Sequence, residues 1–122
     1  MKDTNKKMKD TNNNKEQLAL TKDQVDSVMN LYSSGKVNEA IDAIKALNEN
    51  YPNVPLLFNL LGACYNTLGQ LDAAAQMFKT AFSIKPDYAE AYFNHGIVLR
   101  ELGQFDLAVE SYKTAIDLIP NY

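Results

Sequence analysis

A register of small residues runs through the second half of this chain and restricts its fold more than any composition could. The stretch from Pro55 to Tyr88 is followed at once by a second version of itself, from Ala89 to Tyr122. Shifted by 34 residues, Gly62 falls on Gly96, Gly69 on Gly103 and Ala74 on Ala108. Ala81 falls on Ala115 and Pro86 on Pro120 in the same register. A period of this length means one supersecondary unit stacked on copies of itself, each too small to bury its apolar face alone.

The helical reading follows from the apolar spacing. Thr21-Lys22-Asp23-Gln24 has the form of a capping box, in which hydroxyl and amide side chains satisfy exposed backbone groups at a helix start. Val25, Val28, Met29 and Tyr32 follow at helical intervals, and Gly35 suits the left-handed residue just past a helix end. A second run carries Val37, Ala40, Ile41, Ile44 and Leu47 and closes at Asn50-Tyr51-Pro52. The next unit opens with Pro55 in a first turn, where the missing amide hydrogen costs little. Phe58, Leu61, Gly62 and Tyr65 form its first stripe, and Gly69 ends that helix. Leu71, Ala74, Ala75, Phe78, Ala81 and Phe82 form its second, before Lys85-Pro86. The third unit starts with Asp87 and Glu90, an acidic analogue of the capping box. Its stripes are Tyr92, Gly96 and Leu99, then Phe105, Ala108, Val109, Tyr112, Ala115, Ile116 and Ile119, all expected to face inward. Six helices joined by short turns make an all-α chain. Within each unit, Gly62 and Gly96 are expected opposite the small Ala74 and Ala108, and Phe78 and Tyr112 are expected to reach the neighbouring unit.

Charge and cysteine usage narrow the classes of partner. Residues 1–16 hold five lysines against three acidic groups, which leaves seven basic against twelve acidic groups in the rest. An acidic body lacks the broad basic face that phosphate backbones need, so nucleic acid is not an expected partner. The one cysteine, Cys64, makes neither an internal disulfide nor a multi-cysteine zinc site. No apolar run reaches a membrane span, and no apolar segment backs the N-terminal lysines as a secretory signal requires. A reducing cytoplasm is therefore the expected location, with no membrane partner. MKDTN occurs at residues 1–5 and again at 8–12, and residues 1–16 have only Met1 and Met8 as apolar groups. Such a segment cannot offset the entropy of ordering, so a disordered low-complexity tail is expected over 1–16.

From these residues the chain is identified as a member of the tetratricopeptide repeat family. The resemblance assigns repeats at 21–54, 55–88 and 89–122, within a domain spanning 17–122. The family's pattern is met in full by Phe58, Leu61, Gly62, Tyr65, Ala74, Phe78, Ala81 and Pro86. In the last repeat Tyr92, Gly96, Ala108, Tyr112, Ala115 and Pro120 match, while His95 and Leu99 depart. The first repeat keeps only Gly35, Ala40 and Pro52, with Gln24, Val28 and Leu47 at the other positions. The resemblance implies a right-handed superhelical solenoid of three helix-turn-helix repeats. First helices line a concave groove in such folds, and second helices form the convex back.

On that geometry the groove-facing residues are Val25, Met29 and Tyr32, then Leu56, Asn59, Leu60, Ala63 and Asn66, then Phe93, Asn94, Ile97 and Arg100. A bound peptide would bury Leu56, Leu60, Met29 and Phe93 and hydrogen-bond to Asn59 and Asn94; alternatively, some of these side chains pack between adjacent first helices. The family's clamp for chaperone C-terminal carboxylates is not matched. Val25, Met29, Leu60, Glu90 and Asn94 stand at its places, and Glu90 repels a carboxylate.

The remaining chemistry-bearing residues read as structure. His95 has Ala91 and Leu99 one turn away, so no nucleophile or carboxylate on its own helix supports a general base. Cys64 reads as a small buried apolar residue, without the cationic neighbour that a reactive thiol needs. Tyr32, Tyr65, Tyr92 and Tyr112 read as core filling. No metal set, phosphate loop or catalytic triad is present in the pattern, so no cofactor is expected.

The two ends differ. Asn30, Ser34, Asn48 and Asn50 stand where the second repeat has Cys64, Leu68, Phe82 and Ile84, which makes the first repeat a polar cap. Leu107, Ile116, Leu118 and Ile119 crowd the last helix, so another chain, a dimer partner or more of the same polypeptide is expected to cover it. The leading expectation is a non-catalytic protein-interaction module that binds a peptide or protein through the groove or through that last face. A second is the N-terminal arm of a larger bacterial-type enzyme, such as a glycosyl- or sulfotransferase, with its catalytic domain elsewhere. A third is a homodimer through the C-terminal helix face.

Overall fold

A computed structural model describes residues 19–119. The expected tail over 1–16 and the repeat prolines' last member at 120 lie outside them. Among the described residues there are six helices and no strand. They are α1 (Lys22–Ser33), α2 (Val37–Asn50), α3 (Pro55–Thr67), α4 (Leu71–Ile84), α5 (Ala89–Glu101) and α6 (Phe105–Leu118).

Each hairpin turns by the same device. Gly35, Gly69 and Gly103 adopt φ of 80°, 75° and 80°, a region that costs a residue with a Cβ. The amide following each glycine reaches back across the helix end, Lys36 to Leu31, Gln70 to Tyr65 and Gln104 to Leu99, each at 2.9 Å. The glycine amide itself donates to Tyr32, Asn66 or Arg100. Two orphaned carbonyls are thereby satisfied at the end of every first helix. The start of α1 is held by the capping box: Gln24 N–H donates to Thr21 Oγ1 at 3.2 Å, and Thr21 N–H donates to Gln24 Oε1 at 2.9 Å. The acidic analogue at Asp87 does not form, because α5 starts one residue too late. Its N-cap is Tyr88, which makes no side-chain capping bond.

The core runs between the repeats. Val28, Val37, Ala40, Ile41, Ile44, Leu57, Leu61 and Cys64 form one buried cluster joining the first two hairpins. Ala74, Phe78 and Val98 form a second, joining α4 to α5. Two expectations are corrected here. The glycines face rings rather than alanines: a Cβ at Gly62 would meet the Phe78 ring at 2.4 Å, and one at Gly96 the Tyr112 ring at 2.7 Å. Phe78 thus packs first within its own hairpin, one turn beyond Ala74, and meets the next repeat in a cluster with Val98, against which Leu102 packs. On α6, Ala108 and Ala115 are buried, but Phe105, Val109 and Ile116 are exposed, as is Ile119 at its C-cap. Their helical spacing is inward only where a further helix packs against them.

Candidate protein-binding surfaces

Three first helices lie side by side, tied by polar contacts between residues 35 positions apart, one more than the repeat. The Tyr32 hydroxyl on α1 bonds the Thr67 hydroxyl on α3 at 2.8 Å. The Asn94 amide on α5 donates to Asn59 Oδ1 on α3 at 3.2 Å. These bonds fix the lateral spacing of α1, α3 and α5 and so shape the surface that they share.

That surface divides the sequence-derived groove residues into two places. Met29, Tyr32, Asn59, Leu60, Ala63 and Asn94 come together around a depression of about 140 Å³, whose floor is Val28 and Cys64 and whose edge is Glu90. Phe93, Ile97 and Arg100 instead join Tyr112 and Ile116 of α6 around a larger, open cleft of about 520 Å³. Val25, Leu56 and Asn66 are half-buried and line neither. Asn59 is 4% exposed and already accepts a bond from Asn94, so it stiffens the surface from beneath. Met29 and Phe93 are the exposed apolar groups of the set, at 42% and 37%. Tyr112 and Ile116, which belong to the larger cleft, were missed because their helix stripe read as core.

The opposite side carries His95. Its Nδ1 lies 3.1 Å from Ser111 Oγ, and the ring meets the Phe82 ring edge-on at 5.2 Å. Phe82 in turn stacks on Tyr92 at 4.1 Å. Burial, then the nearby Lys79 ammonium, holds the imidazole below its ordinary pKa. Cys64 is buried, and desolvation raises its thiol pKa, which disfavours the thiolate. Among the described residues no three histidine, cysteine, aspartate or glutamate side chains gather as a metal site, and no helix is long and apolar enough to cross a membrane.

Comparison with known proteins gives the architecture its relatives. The chain is similar in fold to MamA, with 23% identity and a TM-score of 0.75 over 81% of this chain, which spans 58% of the MamA chain. It is similar to the first TPR of Spaghetti (RPAP3), solved with the HSP90 peptide SRMEEVD, at 23% identity and a TM-score of 0.78, covering 81% of this chain and 79% of that one. The Sgt2 TPR domain from Aspergillus fumigatus aligns at 21% identity and a TM-score of 0.78, over 85% of this chain and 71% of that one. No curated protein matches in sequence. The tetratricopeptide repeat model matches residues 89–122 and a TPR repeat model matches residues 62–99. Two family models spanning the hairpins whose glycines, alanines and rings recur in register, on a fold shared with other such proteins, place this chain in the tetratricopeptide repeat family.

Proposed function

We propose that the chain is a non-catalytic interaction module that holds a protein segment on the surface formed by α1, α3 and α5. One observation carries this reading: the depression between Met29, Leu60, Glu90 and Asn94 is walled by three successive first helices. A side chain entering it contacts all three at once. Its apolar floor favours an aliphatic or aromatic anchor, and the Glu90 carboxylate at its edge favours a neutral or basic flank. The acidic peptide held by the Spaghetti domain is the wrong charge for this edge. A reducing cytoplasm suits the buried free thiol of Cys64. Leu60→Glu tests the reading, because Leu60 is half-buried at the wall, against the edge of the core cluster and not within it. Partner capture from the source cell should fall by roughly tenfold or more, with unchanged helicity by circular dichroism. Undiminished capture by that folded variant would reject the groove.

A further inference from the structure

The cleft at the α5–α6 end is the third copy of a seat that the chain itself fills twice. Moved by 34 residues, Asn59, Ala63, Phe78 and Phe82 become Phe93, Ile97, Tyr112 and Ile116. In the second repeat this seat is covered by α5. Tyr92 stacks on Phe82, the Asn94 amide donates to Asn59, and Val98 packs with Ala74 and Phe78. Phe78 is 2% exposed as a result, and Asn59 4%. In the third repeat the same positions border the open cleft of about 520 Å³, with Phe93 37% and Ile116 51% exposed. The Phe93 and Tyr112 rings lie 5.5 Å apart along its wall.

From this equivalence we infer that the α5–α6 cleft docks an amphipathic α-helix of a partner protein, and that its residues specify that helix. The inference rests on the interaction-module reading but uses a different surface. An α-helix is the occupant because α3 and α5, each of 13 residues, are what the two filled seats hold. Register is set by the two bonds between first helices, Tyr32 to Thr67 and Asn59 to Asn94, which are both 35 residues apart. Each helix therefore sits one residue beyond the repeat.

Carried to the third seat, that register pairs three residues. Ile116 takes the counterpart of Tyr92, the helix's fourth residue, so an aromatic belongs there. Phe93 takes the counterpart of Asn94, the sixth, and presents an apolar ring where Asn59 presents an amide; leucine or another apolar residue belongs there. Arg100 takes the counterpart of Glu101, the thirteenth, where an acidic residue completes an ion pair. In the 34-residue register the chain's own α1 offers Gln24, Asp26 and Ser33 where α5 has Tyr92, Asn94 and Glu101. A head-to-tail row of copies therefore matches none of the three preferences.

Two labelled peptides test the inference: residues 87–102 of this chain, and the same peptide with Asn94→Leu. Fluorescence anisotropy should show the leucine peptide binding roughly tenfold more tightly than the parent. Ile116→Lys in the protein should weaken the leucine peptide by a similar factor, and the exposed position leaves the fold intact. Arg100→Glu should reverse the preference between glutamate and lysine at the peptide's thirteenth helical position. Leu60→Glu, which reports on the other groove, should leave this titration unchanged, so each surface can fail alone. Equal binding of a scrambled peptide, or indifference to Ile116→Lys, would overturn the seat. So would a dimer in analytical ultracentrifugation that Ile116→Lys dissolves, since a second copy would then be its occupant.

Discussion

Phe78 lays its ring against the backbone of Gly62, so closely that a Cβ at position 62 would stand 2.4 Å from ring carbon Cε1. The glycine is there because the hairpin's two helices are spaced by that ring. In the next repeat Gly96 and Tyr112 make the same contact at 2.7 Å, but Tyr112 is half-exposed and borders an open cleft.

The two glycines should therefore respond differently to alanine. Alanine gains about 1 kcal/mol over glycine in a helix interior, while overpacking a closed core costs about 1–3 kcal/mol. Phe78 is closed in, so Gly62→Ala should destabilise the chain by up to about 2 kcal/mol on balance. Gly96→Ala should stay within about 1 kcal/mol of the parent because Tyr112 can swing outward. Urea midpoints of the two variants measure this, and Phe78→Leu should recover part of the Gly62→Ala loss.

His95 gives stability a pH dependence of known sign. Its folded pKa is lowered by burial first and by Lys79 second. Below about pH 6.5 the unfolded imidazole binds a proton that the folded one resists. Stability should be full above that value and decline as pH falls toward the folded pKa. Asp72 and Glu110 line the same side with Lys79. Urea midpoints at pH 7.5 and about 5.5 should differ less in His95→Gln than in the parent. An equal pH dependence in both would sink this account.

Helix order, turn glycines and buried alanines were legible because each is set within one hairpin. Gly35, the Thr21–Gln24 box and the burial of Ala40, Ala74, Ala81, Ala108 and Ala115 follow from local spacing alone. Contacts across the hairpin were harder. The glycine–ring pairing depends on how far one helix slides along its partner, which the repeat period does not encode. Facing was hardest on α6, where Val109 and Ile116 carry the spacing of buried residues, yet no helix among the described residues covers them. Of the first-helix positions expected to face one groove, Val25, Leu56 and Asn66 line neither depression, and the others divide between two because Tyr112 and Ile116 border the second.

The N-cap of α1 should contribute modestly. Thr21 is exposed, and its hydroxyl serves one backbone amide of the terminal repeat. Thr21→Ala should cost about 1 kcal/mol, and hydrogen exchange should quicken in the first turn of α1 before it does in α3 or α5. Uniform loss of protection along the chain would contradict a local cap.

The Asn59–Asn94 pair separates a structural role from a peptide-reading one. Asn59 is buried, and Asn94 donates to it between α3 and α5. Asn59→Leu alone leaves that half-buried donor without its acceptor and should cost about 1–3 kcal/mol. Replacing both by leucine removes donor and acceptor together and should recover most of that loss, giving a coupling of about 1 kcal/mol in a double-mutant cycle. On the proposed reading, in which Met29 and Leu60 build the anchor site, the doubly substituted protein should also still capture its partner. Loss of capture in a stable double variant would instead make the two amides direct readers of the partner's backbone.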